Sequence, residues 1–194
     1  MTFRVSTPRK ASEIFSATLA LLAERGYDAL AIETVAARAG VNKTTIYRSW
    51  SSKDELLAAA LRHAPALELH IPDVGSLRGD LIELAEQIAK LLTDEPTRRI
   101  ATAMLAAAPD RPATAQATAS FFADRLNQER AIFERAERRG ELIPGAEPSA
   151  IMDLLAGALW FHILVRCEGA GADYIVSLVD AVLDGVNNVM TSNS

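Results

Sequence analysis

The chain has 194 residues, a formal net charge of −5, 49% hydrophobic residues and one cysteine. That length holds one large domain or two small ones and is enough to bury a sizeable core. The single Cys167 excludes an intramolecular disulfide and suits a reducing compartment. The opening MTFRVSTPRK has no apolar run of the kind a secretory signal needs.

Residues 1–6 read as an arm. A first helix is expected from Thr7 as N-cap, with Pro8 at the position where a missing N–H is harmless, to Arg25 before Gly26. Its apolar stripe is Ile14, Ala17/Thr18, Leu21 and Leu22. A second helix, Ile32 to Ala39, turns Ile32, Val35 and Ala36 to one side and ends at Gly40, a residue free to take positive φ. Asn42 is a good N-cap for a third helix, Lys43 to about Trp50, and Val41 with Ile46 stand where a hydrophobic staple would close. Ile46 and Trp50 share the buried side of that helix, while Lys43, Thr44, Tyr47 and Arg48 point away. A fourth helix starts near Ser52, which forms an S-x-x-E capping box with Glu55, and carries Leu56, Leu57, Ala60 and Leu61.

Two short helices joined by a glycine turn make a helix-turn-helix, whose second helix lies in the DNA major groove. The series Gly26-Tyr27, Val35-Ala36, Ala39-Gly40-Val41, Thr45-Ile46-Tyr47, Trp50 and Lys53 resembles the DNA-binding domain of the TetR family of regulators, over about residues 9–61. The resemblance implies base-edge contacts from Lys43, Thr44, Tyr47 and Arg48, and phosphate contacts from Thr45, Lys53 and, in places, the tyrosine. Lys or Arg can donate to guanine and a threonine methyl can sit on a thymine methyl. Three positions depart from the pattern. The threonines that usually open the second helix are Leu30, Ala31 and Ile32, with Thr34 a partial substitute for phosphate contact. Glu33 stands where some relatives place a base-reading arginine. Ser49 and Trp50 replace the usual histidine and phenylalanine, and Trp50 is expected to be core.

Charge divides the chain into two domains, 1–62 and 63–194. The first holds nine Lys/Arg against six Asp/Glu, net +3, and the second eleven against nineteen, net −8. A basic head on an acidic body fits a DNA-binding module joined to a part that stays off DNA. After a Pro/Gly-bearing linker at 63–75, helices are expected at 76–92, 97–108, 113–139, 148–168 and 172–190, about nine in an all-α fold.

The 148–168 and 172–190 helices are apolar on more than one side. A helix of that kind must be covered on both sides, and the resemblance implies a homodimer. Leu155, Leu159, Ile175, Leu178, Val179, Val182, Leu183 and Val186 are the expected interface. A monomer core is the other explanation. The longest apolar run, Leu154 to Val165, contains His162 and is too short to span a bilayer. The resemblance also implies an effector pocket, with Ile88, Met104, Phe121, Phe122, Trp160 and His162 as candidate lining, each more simply explained as core, since pockets share their apolar lining with it. No cofactor or metal is expected, since His63, His70, His162 and Cys167 share no ligand spacing. No nucleophile elbow or phosphate loop suggests an enzyme. The expected protein is a cytoplasmic regulator of transcription, most simply a repressor that a small molecule releases from a palindromic operator. The alternative is a helical ligand-binding protein or enzyme with a vestigial head.

Overall fold

The structure is a computed structural model and describes residues 9–107, 112–142 and 145–191. Among them every regular element is helical: α1 (Ala11–Arg25), α2 (Ile32–Ala39), α3 (Lys43–Ser49), α4 (Lys53–Arg62), α5 (Leu77–Thr93), α6 (Glu95–Ala107), α7 (Pro112–Arg139), α8 (Pro148–Trp160) and α9 (Ala172–Thr191). A 3-10 turn spans Pro65–Leu67 and a π turn, Phe161–Val165, continues α8. The expected cap Thr7-Pro8 lies outside the described residues. The described part of α1 opens at Lys10 without a side-chain cap.

Contacts group the chain into two compact units, Met1–Glu68 with Glu95–Ala123, and Leu69–Asp94 with Asp124–Ser194. In the first unit α1 is the central rod, packed by α2, α4 and α6. Ile14, Leu21 and Leu22 of α1 meet Val35, Ile46, Leu56, Leu57 and Leu61 in one buried cluster, which Ile100 and Met104 of α6 complete. Thr18 is fully buried in this apolar stripe and is satisfied by donating to the Ile14 carbonyl at 2.7 Å. Trp50 is core, as expected, with its ring edge-on to Phe15 at 5.3 Å.

In the second unit α5, α8 and α9 pack on one another. Leu81, Leu84 and Ala85 of α5, Ile151, Leu155 and Leu159 of α8, and Ile175, Val179 and Val182 of α9 are buried. These positions include five of the eight expected at the dimer surface. Leu155, Leu159, Ile175, Val179 and Val182 are covered by their own chain, where they form part of the core of the second unit. The reason is α5, which supplies the cover for one side of both apolar helices. Leu178 and Leu183 are half-buried, and the side chain of Val186 lies outside the described residues. What α8 and its π turn leave exposed is Leu154, Phe161 and Val165, spaced by seven and four residues and therefore on one side. The continuous stretch Pro148–Val165 is 18 residues with mean hydropathy 1.6, long and apolar enough to cross a membrane by length and composition, where the sequence alone suggested a shorter run. Ile151, Met152, Leu155, Leu159 and Ile163 in it are core residues of the second unit.

Asp80 is 0% exposed and accepts from the Val74 N–H at 2.7 Å. Arg135 and Arg139 of α7 pair with it at 3.4 and 3.8 Å. Arg135 also donates to the Pro72 carbonyl and sits 3.2 Å from Asp73. One buried carboxylate thus fastens the 72–74 loop and α7 to the start of α5.

Glu129 is the other buried acid, 3% exposed on the side of α7 that also carries Ile132, Phe133 and Ala136. Desolvation pushes its carboxyl up to about 7, against a weaker pull from Arg125 one turn away. The unfolded chain loses this proton near 4.5 while the fold still holds it, so stability falls as pH rises from 4.5 to 7 and is level above. At ~1.4 kcal/mol per pH unit the penalty reaches at most roughly 3 kcal/mol. Glu129→Gln should therefore raise the melting temperature at pH 8, by a margin that shrinks towards zero as the buffer is taken to pH 4.5. Thermal melts across that range check it.

Candidate nucleic-acid interface

The reading helix is set by its two ends. Gly40 adopts φ 62, ψ 41, and closes α2 with its own N–H and that of Val41 on the carbonyls of Ala36 and Ala37. Asn42 then caps α3, its side chain accepting from the Thr44 N–H at 3.0 Å. Val41 packs against the core and Ile46 is fully buried, so α3 is pinned by one side. The opposite side carries Lys43, Thr44, Tyr47 and Arg48, all exposed, with Tyr47 at 47%. These four expected readers stand together, and Thr45 is half-buried beside them.

Two contacts of this face were not apparent in the sequence. Glu33 on α2 lies 3.8 Å from the Lys43 ammonium, so the departure at that position has a partner within the face itself. Lys10 at the head of α1 reaches the Gly40 carbonyl at 3.4 Å, which adds a cation beside the turn. Arg38 holds α2 to α1 by two parallel bonds of 2.7 Å to Glu24. The hydrogen bond from Arg38 keeps the Glu24 carboxyl below its usual range. The start of α2 has no side-chain cap, because Ala31 occupies the N-cap, and Thr34 is half-buried in its first turn.

Lys53 differs most from its expected setting. Its ammonium donates to the carbonyls of Tyr27 and Leu30 at 3.0 and 3.2 Å and lies 4.1 Å from the centre of the Tyr27 ring. Tyr27 in turn donates through its hydroxyl to Asp54. The lysine therefore ties α4 to the turn between α1 and α2, spending two of its three N–H donors. Ser52 caps α4 by accepting from the Glu55 N–H at 3.2 Å, but Glu55 reaches back to Ser51, not Ser52, at 2.7 Å, so the expected capping box is shifted by one residue. Lys53→Ala should lower the stability by roughly 2 kcal/mol, for two charge-assisted bonds and a cation–π contact, and with it the melting temperature. If the third donor meets a phosphate, the slope of log affinity against log salt also shrinks by about one. A melt and a salt titration of DNA binding measure the two effects separately.

The candidate effector residues fall in different units. Met104 is buried in the first unit, and Phe121 packs partly buried against the same cluster. Phe122 is 39% exposed, with its ring edge-on to Phe121 at 5.4 Å. Ile88 and His162 are buried in the second unit and Trp160 is half-buried there. His162 is engaged: its ring stacks on Tyr174 at 3.9 Å and Nε2 lies 3.3 Å from the Gly169 carbonyl. That arrangement closes the turn from α8 to α9, together with Cys167 at φ 56.

Residues 14–60 match the model of bacterial regulatory proteins of the tetR family, and residues 71–182 match the tetracyclin repressor-like C-terminal domain. An uncharacterized HTH-type transcriptional regulator of Mycobacterium tuberculosis is 34% identical, over 91% of this chain and 87% of that one. The DNA-binding transcriptional repressor TetR of Mycobacteroides abscessus is 42% identical over 74 residues, 38% of this chain and 39% of that one. The crystal structure of the TetR family transcription regulator SCO0332 superposes with a TM-score of 0.75 at 30% identity, covering 92% of this chain and 98% of that one. Two matched domains in the right order and whole-length similarity place this chain in the TetR family, as a helix-turn-helix regulator of transcription.

Proposed function

We propose that the protein is a cytoplasmic homodimeric repressor of a near-palindromic operator. In this reading residues 1–62 form the DNA-binding domain, and 63–194 the ligand-binding and dimerisation domain. Lys43, Thr44, Tyr47 and Arg48 read base edges, and Thr45, Lys53 and Thr34 face phosphate. The observation that carries it is the build of α3: four polar side chains on one exposed side of a helix that Ile46 anchors from the other. A small molecule bound in the C-terminal part would release DNA by favouring a spacing of the two heads that misses the operator, which requires different affinities for the two states. α6 packs along α1 within the first unit, which gives such a movement a route to the head.

The dimer contact in this proposal is the exposed side of α8, Leu154, Phe161 and Val165, with Leu178 and Leu183 of α9 beside it. The vestigial-head alternative is disfavoured by the intact caps and exposed reading face of α3. A mobility shift with the duplex upstream of the protein's own gene tests the reading. Lys43→Ala or Arg48→Ala should relax preference at one base of each half-site, at roughly 1–3 kcal/mol per good contact. If wild type and both variants bind that duplex and a scrambled one alike, base reading by this face is wrong.

A further inference from the structure

We infer that Glu33 and Lys43 act as one reading unit, an ion pair spanning α2 and α3 that recognises a single G·C base pair in each half-site. The inference rests on the reading face proposed above and assigns Glu33 a part in it. The Glu33 carboxylate lies 3.8 Å from the Lys43 ammonium, and the two side chains are 62% and 59% exposed. Each stands in the first turn of its helix, Glu33 in α2 and Lys43 at the head of α3. The N-terminal end of a reading helix is the part that meets base edges. Both positions are held from behind, by buried Ile32 and Val35 in α2 and by Ile46 in α3.

An exposed ion pair contributes little to stability, so the fold does not explain this placement. A first-turn acid also complements the dipole of α2, but that role needs no lysine beside it. The duplex supplies the sharper constraint. It carries about one negative charge per 1.7 Å of its axis, so a carboxylate on the face that meets it is repelled in every complex. The repulsion is offset where a base presents a donor. In the major groove those donors are the amino groups of cytosine and adenine.

The lysine decides between them. In A·T the amino group lies between two acceptors, adenine N7 and thymine O4, and one ammonium answers only one of them. In G·C both acceptors, guanine N7 and O6, stand on the same side of the cytosine amino group. A cation beside an anion complements that order: Lys43 donates to guanine and Glu33 accepts from cytosine. At 3.8 Å the two groups are beyond hydrogen-bond distance, so neither spends a donor or an acceptor on the other. Their attraction keeps them side by side before DNA arrives.

The test uses the full chain at one fixed salt concentration. The operator is taken from selection of random duplexes, and each position is then replaced in turn by all four base pairs. Wild type should require G·C at one position of each half-site. Glu33→Ala and Lys43→Ala should each relax that same position, by roughly 5–150-fold in discrimination. The double variant should relax it no further than either single one, because the two residues read one pair. Glu33→Ala should also bind a scrambled duplex more tightly than wild type, since a repelled charge is gone. A carboxylate that serves only the dipole of α2 would lower the melting temperature and leave base preference untouched. The proposal is overturned if Glu33→Ala keeps the wild-type preference at every position, if the two single variants relax different positions, or if the shared position is not G·C. Arg48→Ala separates this failure from a wider one. If it relaxes a base while Glu33→Ala does not, α3 still reads DNA and only the ion pair is lost. If none of the three variants alters the preference, the reading face falls as well.

Discussion

Phe161→Glu should convert the protein to a monomer and weaken operator binding by roughly 10²–10⁴-fold, the advantage gained when a second head is already tethered. In the isolated chain Phe161 is 57% exposed, Leu154 55% and Val165 65%. Adjacent exposed apolar side chains of this size on one helix side mark an association surface. In the proposed dimer a glutamate there would meet its own copy across a two-fold axis, so that like charges would face each other in a desolvated contact. Because the site is open in the single chain, the substitution leaves the helices intact, and circular dichroism should be unchanged while sedimentation shifts to the monomer. Val182→Glu is the informative contrast. Val182 is 7% exposed inside the second unit, so charging it should unfold that unit instead of separating two folded chains.

Asp80→Ala should cost about 3–5 kcal/mol of stability, the loss expected when one member of a buried ion pair is removed. Arg135 and Arg139, side chains 18% and 27% exposed, lose a shared partner, and the Val74 N–H loses its acceptor. Arg139 keeps Glu141 at 2.8 Å and Arg135 keeps Asp73, so the damage centres on the 72–74 loop and the start of α5. Asp80→Asn keeps one acceptor for Val74 and should lose less. Chemical denaturation of the second unit's helices measures both, and equal stability of Asp80→Ala and wild type would show that the cluster contributes nothing.

The head was legible because its signals are local. Gly40 and Asn42 announce the turn and the cap within three residues, and the spacing of Val41, Ile46 and Trp50 decides which side of α3 is left for Lys43, Thr44, Tyr47 and Arg48. Lys53 was not legible in the same way. Its ammonium meets carbonyls 23 and 26 residues earlier, a contact that no local pattern encodes. The apolar helices show a second limit. Periodicity says that α8 and α9 must be covered on more than one side, but it does not say which side their own chain covers. α5 decides that, covering Leu155 and Leu159 and leaving Leu154, Phe161 and Val165 exposed in the single chain. The grouping of α6 with the first unit is a tertiary result of the same kind. Glu129 was not singled out in the sequence, because a single acid in a long helix reads as exposed until its burial is known.

The central claim is that two copies of this chain read DNA through a pair of α3 helices. Selection of bound duplexes from a random pool, with the purified full-length protein, tests it most directly. Enrichment of an inverted repeat, with half-site centres separated by roughly 34–36 Å or somewhat more, is the predicted result. Recovery of sequences with no shared motif, or of a single unrepeated half-site, would contradict it.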